Sequence, residues 1–465
     1  MKINKFVING YKNIENVEIE LTNITALMSL NSRGKSNLLK GLMYGLSILI
    51  SSPQVRNQIY FSNRNLSRPL CEETKDTPYF LSIAFETKLK EKKCDVEYQI
   101  SIDWTSDKNI HILNEALKLR FDSSRYTTYY SREDNVVKYK ATENRGCENP
   151  FNIEECSPKT IIDLLFDKKV YYQSIIEDLV NINYLIDRHF DNSLTYLSVV
   201  PKNNENEFSF GGNKPESTAE NLYLLKKNYI KSYERIQSAI YVLFPEIIEI
   251  NVNKIETTQA IGMPNYYELY VKQKYINEYI MCSEMSDGFK RVLNYLLSLS
   301  IAQIKGLSLV ALEEPENSIN PTMLGKFVQI IAEFSSSFNI IITSHSPFLL
   351  QYLSLSKIYI GIDRNNGNVD FRRIKSTYIN RVNERSEKLE INTGSYIFDV
   401  LSNEDKMNKE ILKEALDIKW ETGCLCLLKE KLIRYFSTIW LVLSLKMQTK
   451  RCGPRSVWQL NLSME

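Results

Sequence analysis

A chain of 465 residues has the length for about two to four domains of ~100–200 residues and for a sizeable buried core. Hydrophobic residues at 43% and charged residues at 25% are ordinary globular values and exclude wholesale disorder. A formal net charge of +2, from 58 basic and 56 acidic residues, excludes nucleic-acid binding through overall charge, so any DNA contact would need a local basic patch.

Residues 1–28 predict three short strands, carried by Ile3, Phe6 and Ile8, by Val17, Ile19 and Leu21, and by Ile24–Met28, with Asn9-Gly10 turning between the first two. After Ser29-Leu30-Asn31-Ser32-Arg33-Gly34-Lys35-Ser36 comes a helix beginning Asn37-Leu38-Leu39. Residues 52–78 are polar and read as loop. Tyr79–Glu86, Asp95–Trp104, Ile110–Phe121 and Val136–Ala141 read as strands of an inserted antiparallel subdomain. From Ser157 to Phe244 the apolar residues (Ile161, Leu164, Leu165, Ile175, Leu179, Ile182, Leu185, Ile186) recur at helical spacing. The Lys202–Ser217 break separates them from a long Ala219–Phe244 helix. This region is either packing alone or a partner-docking surface.

Ile247–Ile255 and Tyr266–Lys274 return to strand periodicity. Ser283–Arg291 then opens a helix through Ile304, followed by the apolar strand Leu307–Leu312 and by Glu313-Glu314-Pro315-Glu316-Asn317. A helix, Thr322–Phe334, leads to the buried strand Asn339–Thr343 and Ser344-His345-Ser346-Pro347. That alternation predicts a parallel sheet shared with Ile24–Met28. Lys357–Ile374 reads as a hairpin through Asn366-Gly367. The stretch from Trp420 holds three of the four tryptophans and is either a small helix pair or a replaced natural end. The expected division is 1–156, 157–245, 246–375 and a helical tail, 376–465.

The eight cysteines (Cys71, Cys94, Cys147, Cys156, Cys282, Cys424, Cys426, Cys452) make no C-x-x-C and no metal spacing. With no signal-peptide pattern they read as reduced thiols of a cytoplasmic protein. Tyr435–Leu445 is apolar, but it falls short of the ~18–20 residues of a membrane span, so no membrane partner is expected.

Strand, loop ending in Gly-Lys-Ser, then helix is the context of a phosphate-binding loop. Backbone N–H groups over Asn31, Ser32, Arg33, Gly34, Lys35, Ser36 and Asn37 would face the phosphates, Lys35 would reach the β/γ oxygens, and Ser36 would hold Mg²⁺. Ser29 stands where such loops usually carry their first glycine. Glu313 and Glu314 end an apolar strand, where ligands bind in open α/β sheets. Glu313 suits the metal and Glu314 the attacking water, although a solvated acidic turn would look alike. His345, one of three histidines, follows another buried strand and could touch the γ-phosphate or the water. His111 and His189 read as structural. Ser286-Asp287-Gly288 is either an N-cap or a second anion site, the latter making sense only against another subunit's nucleotide.

In order and spacing these four motifs resemble the ABC-type ATPases, in the branch that includes SMC, Rad50 and RecF heads and the overcoming-lysogenisation-defect (OLD) ATPases. The likeness covers residues 1–50 and 283–350. It implies an α/β P-loop head with an inserted antiparallel subdomain and a helical region. ATP and Mg²⁺ would be bound between two heads, each site pairing one subunit's Lys35 loop with the other's Ser286-Asp287-Gly288. It also gives Pro315–Pro321 as the segment lining the dimer interface. OLD nucleases carry a Toprim domain, but Asp363, Asp370 and Glu404-Asp405 do not make its acidic pattern. Nuclease activity would then belong to a partner. Stand-alone ATPases of this kind resemble subunits of bacterial anti-phage defence systems, PARIS-type with a Toprim nuclease or Septu-type with an HNH nuclease, answering a phage trigger. A DNA-clamping repair ATPase and a nucleotide-gated structural protein with little turnover are the alternatives.

Overall fold

Uninterrupted apolar runs in a strand mean cover on both faces, and three such runs form the centre of this molecule. In the computed structural model, which describes residues 1–122, 124–143, 150–187, 198–200, 208, 218–255, 265–317, 319–364, 366–402 and 414–416, they lie side by side. The sheet has six strands in the order Tyr184–Asp187, Leu309–Glu313, Asn339–Ser344, Ile24–Met28, Ile358–Asp363, Val369–Arg373. All neighbours are parallel except the last pair. Alternation sorts the side chains by face. Leu309, Ala311 and Ile341 enter one core, whereas Val310, Leu312, Ile340 and Ile342 enter the other. Parallel strands share a C-terminal edge. The register pairs Glu313 with Thr343, Thr343 with Leu27 and Ser344 with Met28, so the segments after all three strands emerge together.

The first core lies between this sheet and an eight-stranded antiparallel sheet, ordered Val17–Glu20, Ile3–Asn9, Tyr79–Leu89, Lys92–Asp103, His111–Phe121, Thr127–Glu133, Val136–Tyr139, Phe151–Asn152. Helix Lys35–Ile50 runs through that core. It approaches Tyr79–Leu89 so closely that a Cβ on Gly45 would stand 2.1 Å from the Tyr79 hydroxyl, which donates to the Gly41 carbonyl at 2.8 Å. The second core holds helices Thr218–Asn228, Ile230–Leu243, Asp287–Ile304 and Pro321–Phe334. Strands Ile247–Ile255 and Asn265–Gln273 also enter it, pairing antiparallel, with Ser198–Val200 and Ile280–Met281 on the second of them. Met1–Leu416 is one compact unit, and the 1–156 and 246–375 segments interleave in its parallel sheet. The α/β class expected from the sequence is borne out, antiparallel sheet included.

Four local expectations are corrected. Residues 52–78 are not loop throughout, since Pro53–Ser67 is a helix with proline in its first turn. Its apolar stripe is thin because a charged side chain supplies the anchor. Arg56 is fully buried, donating to the carbonyls of Ile48, Ser51 and Pro158 and to Asp163 at 2.6 Å. Thr127–Glu133 is a further strand, which buries Arg132 on the carbonyls of Ser157 and Lys159. Tyr184–Asp187, expected to be helical, is the edge strand of the parallel sheet, with Leu185 opposite Val310. The single helix expected over Ala219–Phe244 is two, broken at Tyr229. Glu404-Asp405, the Lys202–Ser217 break (Phe208 apart) and the stretch from Trp420 lie outside the described residues. Among the described residues no helix is long and apolar enough to cross a membrane.

Candidate nucleotide site

The loop after Ile24–Met28 turns through two left-handed residues, Ser32 (φ +62°) and Gly34 (φ +77°). Gly34 is the N-cap of helix Lys35–Ile50 and has no side chain with which to cap it. The first-turn N–H groups therefore carry the positive end of the helix dipole into an open loop, as an anion site requires. A Cβ on Gly34 would also press within 3.3 Å of Ile14 and Val369. Arg33 is held by Asp363 at 3.1 Å, and Asn37 donates to Asn13 at 2.8 Å, fixing both flanks. Asn31 and Ser32 are exposed at the loop tip, and Ser36 is half-buried.

Lys35 is buried, and its ammonium donates to the carbonyls of Ser29 (2.9 Å) and Leu30 (3.3 Å) and to Ser29 Oγ (3.3 Å). Desolvation pulls its pKa down, and the negative charges of Glu314 and Glu316 act against that pull. Ser29, in place of a glycine, is fully buried and keeps a negative φ. Its hydroxyl donates to the Leu30 carbonyl at 3.1 Å. The space for its side chain comes from the next strand, where a Cβ on Gly361 would meet Ser29 Cβ at 2.8 Å and the Phe371 ring at 2.9 Å. Sequence reasoning missed Gly361; a lone glycine within a strand was its only signal.

Glu313 closes its strand, and Glu314 follows in the left-handed region (φ +48°), a strained backbone for a residue with a side chain. That turn is held on both sides. The Glu314 N–H donates to the Thr343 carbonyl at 2.9 Å, and Arg291 Nη2 donates to the carbonyls of Glu313 (3.3 Å) and Glu314 (3.2 Å). Glu314 Oε2 accepts from Asn317 at 2.9 Å. Glu314 Oε1 lies 3.1 Å from His345 Nδ1, an ion-pair distance at which the ring nitrogen is not aligned for a hydrogen bond. Glu316 is buried, and its Oε1 accepts from Ser344 Oγ at 2.6 Å and from the His345 N–H at 3.3 Å. Burial pushes its carboxyl pKa up.

Ser286 and Asp287 are exposed at the start of helix Asp287–Ile304, with Gly288 behind them. Ser286 Oγ accepts from the Phe289 N–H at 3.3 Å, and Asp287 pairs with Lys290 at 3.1 Å. Both contacts stay within that helix start. The structure thus brings Lys35, Glu313, Glu314 and His345 to one sheet edge, whereas Ser286-Asp287-Gly288 has no hydrogen bond or ion pair to the 29–36 loop among the described residues. Arg291, Glu316 and Asn317 were missed, because their roles depend on partners that only the fold supplies.

Residues 279–351 match one family model. Its description is "AAA domain, putative AbiEii toxin, Type IV TA system". The matched segment contains Ser286, Glu313, Glu314 and His345 and excludes the Ser29–Ser36 loop. No curated protein matches the chain. Among solved structures, an SMC head bound to the C-terminal winged-helix domain of ScpA is 11% identical with a TM-score of 0.45, over 82% of this chain and 100% of that one. The SMC head domain from Thermotoga maritima is 12% identical with a TM-score of 0.40, over 81% and 100%. An SMC head with an extended coiled coil, bound to the C-terminal domain of ScpA and derived from Pyrococcus furiosus, is 11% identical with a TM-score of 0.42, over 83% and 99%.

Proposed function

We propose that this chain binds and hydrolyses ATP as one head of an ABC-type pair, and that in bacterial anti-phage defence the pair controls an effector, a partner nuclease of Toprim or HNH type. One observation carries the chemical part. A buried lysine at an uncapped helix start shares a sheet edge with a carboxylate–histidine pair 3.1 Å apart. The Lys35 ammonium, resting on loop carbonyls, can turn to the oxygens of a β/γ-phosphate. Glu314, held by Asn317, orients the attacking water and takes its proton. His345 donates to the same water or to the γ-phosphate. The Ser36 hydroxyl and the Glu313 carboxylate are hard oxygen donors of the kind magnesium takes. They would hold a magnesium ion that neutralises charge on the phosphates.

The exposed Ser286 end supports pairing in trans, because its helix start faces solvent. A place in a toxin–antitoxin type of defence is supported by the matched family, an AAA domain of a putative toxin of a Type IV TA system.

Complementation tests the proposal. Lys35→Ala and Ser286→Arg are each expected to abolish ATP hydrolysis. Mixing them should restore part of it, since a mixed pair contains one site with an intact loop and an intact opposing Ser286. No restoration, with both variants folded, would sink the trans arrangement. Co-purification of a nuclease encoded beside this chain tests the effector part.

A further inference from the structure

We infer that Glu316 is a positioning residue, a carboxylate clamp that fixes the Ser344–His345 turn so that His345 faces Glu314. Glu316 is only 8% exposed, and Ser344 is fully buried. One carboxylate oxygen receives two donors from the facing turn, Ser344 Oγ at 2.6 Å and the His345 backbone N–H at 3.3 Å. Ser344 Oγ in turn accepts from the Ser346 N–H at 3.0 Å, so the clamp orders the backbone on both sides of His345. A further support stands behind it. Helix Thr393–Ser402 packs on Pro347–Leu350, and a Cβ on Gly394 would lie 2.3 Å from the Pro347 carbonyl oxygen.

Between these two supports the imidazole lies 3.1 Å from Glu314 Oε1. Packing alone does not account for Glu316. Its other oxygen, Oε2, is buried without a hydrogen-bond partner among the described residues, a cost that an apolar side chain would avoid. The carboxylate therefore joins the Glu313–Glu314 turn to the His345 turn through side chain and backbone together.

The kinetic consequence rests on the ATPase reading; the structural one does not, and the test separates them. In the full chain without nucleotide, amide hydrogen exchange over 344–350 reads the clamp directly. Glu316→Ala is expected to speed exchange at His345 and Ser346 by roughly tenfold or more. Glu316→Gln, which keeps an oxygen acceptor, should stay near wild type. Ser344→Ala removes the shorter bond while sparing the carboxylate, and should loosen the same amides if Glu316→Ala fails to fold. In hydrolysis, Glu316→Ala should lower kcat with KM unchanged, and the Glu316→Ala/His345→Ala double variant should be no slower than His345→Ala alone.

Unchanged exchange in both Glu316→Ala and Ser344→Ala would overturn the clamp, as would losses that multiply in the double variant. A wild-type chain without ATPase activity would instead overturn the proposed function, while the exchange experiment still decides the clamp.

Discussion

Two helix starts in this molecule have opposite designs. At Gly34 the helix opens without a side-chain cap, in a buried setting with a lysine beside it. At Ser286 the helix is capped by its own serine and faces solvent, and its Asp287 is already paired with Lys290. An uncapped start has N–H groups to offer any anion that arrives. A self-capped start must give up an existing hydrogen bond to do so, at a cost of about 1 kcal/mol. It is suited to engage only when a larger interface forms around it. The first has its N–H groups free for a ligand bound within the chain, whereas the second is the end that the proposed pairing would cover.

The largest expected effect comes from the Lys35 side of this contrast. Glu314→Gln should retain nucleotide binding while hydrolysis falls by about 10²–10⁴, the usual worth of a positioned general base. Equal turnover in wild type and variant would remove Glu314 from the chemistry. Gly361→Ala comes next. The added methyl would meet Ser29 Cβ at 2.8 Å, and overpacking of this kind costs ~1–3 kcal/mol, read as a lowered Tm with weaker nucleotide binding. Combining it with Ser29→Gly should recover only the part due to Ser29, since the Phe371 ring at 2.9 Å remains, and simple additivity would show that the two positions do not share space. Ser286→Ala should cost about 1 kcal/mol of stability and leave the intrinsic affinity of the Lys35 loop unchanged. A large drop in nucleotide affinity with isolated chains would mean that the two helix starts are not separate. The smallest effect is expected for Asp287→Asn, which weakens the pairing of an exposed carboxylate with a buried lysine; Lys290 keeps the Ser283 carbonyl at 3.3 Å, so the unfolding midpoint should fall only slightly.

Much of the central sheet was legible because Leu309–Leu312, Asn339–Thr343 and Ile24–Met28 are buried on both faces and so spell themselves in apolar residues. Lys35, Glu314 and His345 were legible for the same reason, since each follows one of those runs. What sequence reading missed is polar and buried. Arg56 anchors Pro53–Ser67 and Arg132 anchors Thr127–Glu133 through carbonyls of distant segments, so neither element carries the apolar pattern that announces a helix or strand. Tyr184–Asp187 was too short for its period to decide between helix and strand. Glu316 was visible in Glu-Glu-Pro-Glu, but its task depends on Ser344 and His345, which only the sheet brings to it.

The loop at Ser29 has a consequence for how such a chain can change over generations. A side chain at Gly361 would collide with Ser29 Cβ at 2.8 Å and with the Phe371 ring at 2.9 Å, so two neighbours hold that position to glycine. Exchanging Ser29 for glycine would therefore not by itself open position 361 to a side chain, because Phe371 still stands there. The serine that makes the loop look incomplete is thus seated against a glycine on a different strand, one that Phe371 requires as well.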